Sequence, residues 1–329
     1  MGLAMASNLQ KHLLAEGQPP LRFWNRTASK GDALNNLGGI QCASIAAVVR
    51  DSVIIFISTR LQTSNDEAAQ AIIAQIISAG NLGGKVIVDT TTVHPNTSAA
   101  VSAELSQLNA FFVSAPVFGS APMAAERMIL AVVAGPHCAI DRISPYVRDV
   151  IARDILQVAE QPEKASLLKI IGNFLVTGLT EIIGEAHVFA EKSEVGCAVL
   201  ERLLEAQFGR LPLMISQRLT QGTYMPPKGT LPWSSLDLAL KDVGHAMNCA
   251  ASSGTNLRIG EVALDHLRRA KAFSEEQARD LDSAASYGIL RRDAGLDFEN
   301  EAVKRRDTQT NARCTASNSG DQAKCENRD

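Results

Sequence analysis

A change of rhythm constrains this chain more than any other feature. Up to about residue 135, short apolar runs rich in β-branched residues alternate with helical stretches. From Gln161 the runs stop, and only helical patterns continue to about residue 290. The runs lie at 21–24, 53–57, 85–89, 111–113 and 129–133. Val53-Ile54-Ile55-Phe56-Ile57 shows no polar alternation, as expected of a strand covered on both faces. Helices are predicted over 1–14, 29–37, 44–50, 65–79 and 95–108, with breakers at Gly17-Gln18-Pro19-Pro20, Gly38-Gly39, Gly83-Gly84 and Gly135-Pro136. Alternating strands and helices predict a Rossmann-type, doubly wound α/β sheet, and the helical remainder an all-α C-terminal domain.

A length of 329 residues fits two domains of roughly 100–200 residues each. The expected boundaries are 1–160 for the α/β domain and 161–306 for the helical one. The polar, aperiodic segment 307–329 is predicted to be disordered. A hydrophobic share of 46 % supplies a core, while a net charge of −3 and 5 % aromatics give no reason to expect nucleic acid or an anionic membrane as partner. The six cysteines lie far apart with no metal-ligand spacing, so reduced thiols, no metal and a cytoplasmic protein are expected. No signal peptide and no apolar run of about 18 residues is found, so a soluble, intracellular chain with no membrane partner is expected.

The most chemical stretch is Lys169-Ile170-Ile171-Gly172-Asn173, which opens a long, mostly apolar helix running to about residue 192. Lys169 and Asn173 are one turn apart and share a face. An ammonium beside an amide can hold and protonate a carbonyl or alkoxide oxygen, although a solvated lysine has the same spacing. The six histidines show no spacing for a metal or a triad.

Several further motifs stand in order along the chain: Met1-Gly2-Leu3-Ala4-Met5-Ala6-Ser7-Asn8-Leu9, Asn25-Arg26-Thr27, Asp89-Thr90-Thr91-Thr92-Val93-His94-Pro95, Ala115-Pro116-Val117-Phe118-Gly119-Ser120 and Lys241-Asp242-Val243-Gly244-His245-Ala246. Together with the Lys169 motif, over about residues 1–300, they resemble the β-hydroxyacid dehydrogenase family. That family includes 3-hydroxyisobutyrate dehydrogenase and is related to 6-phosphogluconate dehydrogenase. The resemblance implies reversible hydride transfer between a nicotinamide and a hydroxy acid or carbonyl substrate, with Lys169 as catalytic acid/base and Asn173 orienting the substrate. It places Gly2 at the last glycine of the Gly-x-Gly-x-x-Gly fingerprint. The preceding strand and first two glycines do not precede Met1, so a sheet lacking its first strand, in a truncated form, is expected.

The remaining roles follow by the same resemblance. Asn25, Arg26 and Thr27 stand where an acid would favour NAD, and a guanidinium with a hydroxyl suits the 2′-phosphate of NADP; an ordinary turn with a solvated arginine is the plain alternative. Ser58, Thr59, Thr92 and Lys241 match cofactor contacts, and Thr91, Gly119 and Ser120 match substrate contacts. Thr91 or Thr92 could equally cap the next helix, and Lys241 with Asp242 could be a surface pair. Phe118 stands where the family has serine, Ser120 and Gly172 where it has glycine and asparagine, and Met123 and Arg127 where it has glycines. These departures make a larger, more apolar substrate as plausible as hydroxyisobutyrate. A homodimer or higher homo-oligomer is implied. The alternatives are an imine reductase-like enzyme, whose relatives generally lack the lysine, and a truncated, non-catalytic dimerising paralogue.

Overall fold

The computed structural model describes residues 1–59 and 65–309. It divides into two compact units, Met1–Gly172 and Asn173–Asp329.

The first unit opens with helix α1 (Gly2–Ala15). Strand β1 (Arg22–Phe23), α2 (Asp32–Asn35), β2 (Ile40–Gln41) and α3 (Ile45–Arg50) follow. Next come β3 (Ile54–Ile57), α4 (Asn65–Ser78), β4 (Val86–Asp89), α5 (Pro95–Gln107) and β5 (Phe111–Ser114). The unit continues with β6 (Val117–Phe118), α6 (Ala121–Ala125), β7 (Leu130–Ala134), α7 (His137–Val147) and β8 (Asp154–Ala159). The six-stranded sheet runs β3-β4-β5-β7-β6, with β8 on β7. Strands β3, β4 and β5 are parallel, and β7 is antiparallel to β5 and β6, so the sheet is mixed.

Strands β1 and β2 form a separate parallel pair. Among the described residues, β3 has a ladder partner on one side only, β4.

The sheet is buried on both faces, and its period of two sorts the side chains. Val86, Val88 and Val113 pack with Met5, Leu9 and Leu13 of α1 and Ile140, Ile143 and Val147 of α7. Ile55, Ile57, Ile87 and Phe112 face the other way, onto α3, α4 and α5.

Helix α8 (Glu163–Lys192) begins in the first unit and continues into the second. One 18-residue window of α8 has mean hydropathy 1.5, so by length and composition this helix could cross a membrane. That corrects the expectation that no apolar run of this length exists: isolated polar residues such as Glu181 and Glu185 interrupt the stretch without lowering its average much. Thr180, Glu181 and His187 of α8 are buried within the protein.

The second unit adds α9 (Cys197–Leu203), α10 (Arg210–Thr220), α11 (Leu236–Ser252), α12 (Arg258–Glu276) and α13 (Ser286–Asp293). They enclose Ile183, Leu219, Tyr224, Leu267, Tyr287 and Phe298. Residues 301–309 are also helical, so the segment expected to be disordered from 307 starts as helix. Residues 310–329, with Cys314 and Cys325, lie outside the described residues.

Candidate active site

Parallel pairing aligns Ile57 of β3 with Asp89 of β4 and puts the following loops at one carboxyl end of the sheet. Thr90 donates both its N–H and its hydroxyl to the Ile57 carbonyl, at 2.9 and 2.8 Å. The Thr59 N–H donates to Thr91 Oγ1 at 3.3 Å, and the two hydroxyls lie 3.4 Å apart. Gly2, the first residue of α1, approaches so closely that a Cβ there would stand 3.1 Å from Ser58 Oγ. The fold thus brings Gly2, Ser58, Thr59 and Thr91 together. Thr91 is buried, Thr92 and Thr59 are half-buried and Ser58 is exposed.

The threonines do not cap α5. His94 does, its Nδ1 accepting from the Asn96 N–H at 3.2 Å, with Pro95 in the first turn. Behind the loop, Asp89 is buried and accepts from the Thr91 N–H at 2.9 Å. Burial pushes its carboxyl from 3.8 up to about 6, against the lowering pull of that hydrogen bond.

Asn25, Arg26 and Thr27 follow β1 and are exposed, with Asn25 Nδ2 donating to the Thr27 carbonyl at 2.6 Å. Gln10 ties this segment to α1, accepting from the Leu21 N–H at 2.7 Å and donating to the Leu37 carbonyl at 3.1 Å.

Lys169 is 8 % exposed, and its Nζ stands 4.1 Å from the centre of the Phe118 ring. Such a cation–π contact is worth roughly 0.5–2 kcal/mol. One turn earlier on α8, Ser166 Oγ lies 2.7 Å from Ser98 Oγ and 3.1 Å from Ser114 Oγ. This buried hydroxyl trio fixes the start of α8 to α5 and β5. Gly119, beside Phe118, has φ +139°, and a Cβ there would stand 2.6 Å from Ile129 Cγ2, so only glycine fits. Ser120 precedes α6 without a side-chain cap bond.

In the second unit, Asn173 donates from Nδ2 to Asp242 Oδ2 at 2.7 Å. Lys241 Nζ lies 2.8 Å from Asp242 Oδ1. Both members of that pair are largely buried, so Lys241 and Asp242 are not the solvated surface pair that spacing allows. Sequence reasoning named Asp242 and Asp89 without giving them a site role, and it did not find the Ser98–Ser114–Ser166 trio. Asp242 had a signal in its motif; the serines had none.

A bound dinucleotide needs a close backbone approach at a helix N-terminus and hydroxyl or amide partners at the strand ends. The Gly2–Ser58 approach and the Thr59–Thr91 hydroxyl pair fit that need. Among the described residues, no group of three His, Cys, Asp or Glu is placed to hold a metal ion.

Residues 1–159 match the NAD binding domain of 6-phosphogluconate dehydrogenase. Over 301 residues the chain is 34 % identical to the NADH-dependent oxidoreductase ucdB of Aspergillus ustus, across 91 % of this chain and 98 % of that protein. The chain belongs to the β-hydroxyacid dehydrogenase family. Like its family, it is an NAD(P)-dependent oxidoreductase. A probable 3-hydroxyisobutyrate dehydrogenase of Mycobacterium bovis is 24 % identical over 303 residues, covering 88 % of this chain and 95 % of that one. The fold is that of the Mycobacterium tuberculosis 3-hydroxyisobutyrate dehydrogenase solved with L-serine: TM-score 0.72, 20 % identity, 88 % of this chain and 96 % of that one.

Proposed function

We propose that this β-hydroxyacid dehydrogenase reversibly reduces a carbonyl compound to the corresponding alcohol with NADPH, using Lys169 as general acid. A nicotinamide, when bound, supplies or accepts the hydride. Lys169 donates its proton to the carbonyl oxygen on reduction and takes it back on oxidation. Asn173, one turn along α8 and held by Asp242, positions the same oxygen. In this reading Thr91, early in the loop after β4, contacts the substrate together with Gly119 and Ser120, the two residues that follow Phe118.

The observation that carries this reading is the burial of Lys169 against Phe118 on a helix start pinned by Ser166. A solvated lysine would stand in water. For the cofactor, support comes from Arg26, exposed beside Asn25 and Thr27 and thus open to a 2′-phosphate.

Lys169→Ala should cut kcat/KM by about 10²–10⁴, with Kd for NADPH within a few-fold of wild type. Unchanged turnover would end the assignment of Lys169. Fluorescence titration should give tighter binding of NADPH than NADH, and Arg26→Ala should erase the difference. Equal binding of the two by wild type would refute the NADPH preference.

A further inference from the structure

Phe118 and Gly172 are separated by more than fifty residues in sequence, yet each fills the space the other leaves. A Cβ on Gly172 would stand 2.4 Å from Phe118 Cζ and 2.5 Å from Cε1, closer than any real contact. The ring occupies the volume that a side chain at 172 would take. The same ring carries Lys169 Nζ over its face at 4.1 Å. An oxygen taking a proton from Nζ sits about 2.8 Å from it. An apolar group a few bonds from the reacting carbon can then lie against the ring, whose face is 4.1 Å from the proton donor.

A serine at 118 and an asparagine at 172 would present a hydroxyl and an amide at this spot. Phe118 with Gly172 presents aromatic carbon, and a carboxylate placed there would lose its hydration without gaining a donor from either residue. From this matched pair we infer that Phe118 determines specificity, selecting carbonyl substrates with an aromatic or other flat apolar group near the reacting carbon over those with a carboxylate there. This inference rests on Lys169 being the proton donor, as proposed above.

The test uses benzylacetone and levulinate, two methyl ketones that differ in a phenyl ring against a carboxylate. It reads kcat/KM with NADPH and, separately, Kd by calorimetry, for wild type, Phe118→Leu, Phe118→Ser and the double variant Phe118→Ser/Gly172→Asn. Wild type should favour benzylacetone by at least about tenfold in both readouts, the size of preference an apolar pocket gives. Phe118→Leu, which keeps an apolar wall and guards against a variant that fails to fold, should retain most of that preference. The double variant should lose or invert it.

A wild-type preference for levulinate, no preference at all, or one unmoved in the double variant would overturn the inference. Turnover in those cases would leave the reductase reading intact. A Phe118-dependent binding preference without turnover of either ketone would support the inference and count against the reductase reading. Absence of both binding and turnover would refute the inference.

Discussion

Asp89 is a buried carboxylate whose burial costs stability at neutral pH. In the fold its carboxyl titrates near about 6 rather than 3.8. As pH rises from about 4 to 6 the folded chain still holds a proton that the unfolded chain has released, so stability falls across that window. Above it the full penalty, on the order of 3 kcal/mol, is present. Asp89→Asn keeps an acceptor for the Thr91 N–H and removes the charge. It should raise the urea midpoint at pH 7.5 and leave it unchanged near pH 4; an equal gain at both pH values would mean the charge is not the cause. His187 has the opposite sense. It is buried, its Nε2 lies 2.6 Å from Ser216 Oγ, and burial holds its imidazole below 6.5. The unfolded chain takes up a proton there first, so His187 contributes to the loss of stability as pH falls below about 6.5. In the proposed reaction Asp242 acts through Asn173, whose amide it holds. Asp242→Ala should raise KM several-fold more than it lowers kcat, because the freed amide mispositions substrate; loss of kcat alone would contradict a positioning role.

At the scale of elements, the turn after α6 carries strain that can be removed. Arg127 has φ +60°, in the left-handed region that favours glycine. A non-glycine residue there costs about 1 kcal/mol. Arg127→Gly should therefore be neutral to stabilising by up to roughly 1 kcal/mol in urea melts, the flexibility of glycine in the unfolded chain offsetting part of the gain. Clear destabilisation would mean that the Arg127 side chain holds the turn. The same element scale decides what the sequence could reveal. Strands β3, β4 and β5 were legible because burial on both faces gives unbroken apolar runs such as Val86-Ile87-Val88. β2 and β6 were not, since two residues have no period to read, and β8 was hidden by its largely exposed Asp154–Ala159 pattern. Gly2, Thr91, Lys169 and Asn173 were legible because each sits on a local motif. The Asn173–Asp242 bond, the serine trio and the fit of Phe118 to Gly172 join residues far apart in sequence, and no local pattern encodes such pairs.

At the scale of the whole molecule, α8 carries an exposed apolar seam. Leu175, Ile182 and Phe189 are 58, 53 and 74 % exposed, at spacings of seven residues. A seven-residue apolar repeat lies as a single seam on a helix and suits pairing with another helix of the same kind. On that ground we propose a homodimer joined through this seam, with Thr180, Glu181 and His187 of α8 turned inward. The hydropathy of α8 also permits a lipid-facing role, and the two readings separate cleanly. Sedimentation equilibrium should give a dimer for wild type, and Ile182→Lys/Phe189→Lys should shift it to monomer with the far-ultraviolet spectrum retained. Flotation with phosphatidylcholine vesicles should leave the protein unbound. A wild-type monomer that floats with vesicles would mean that lipid covers the seam. A wild-type dimer that the double variant leaves intact would place the interface elsewhere.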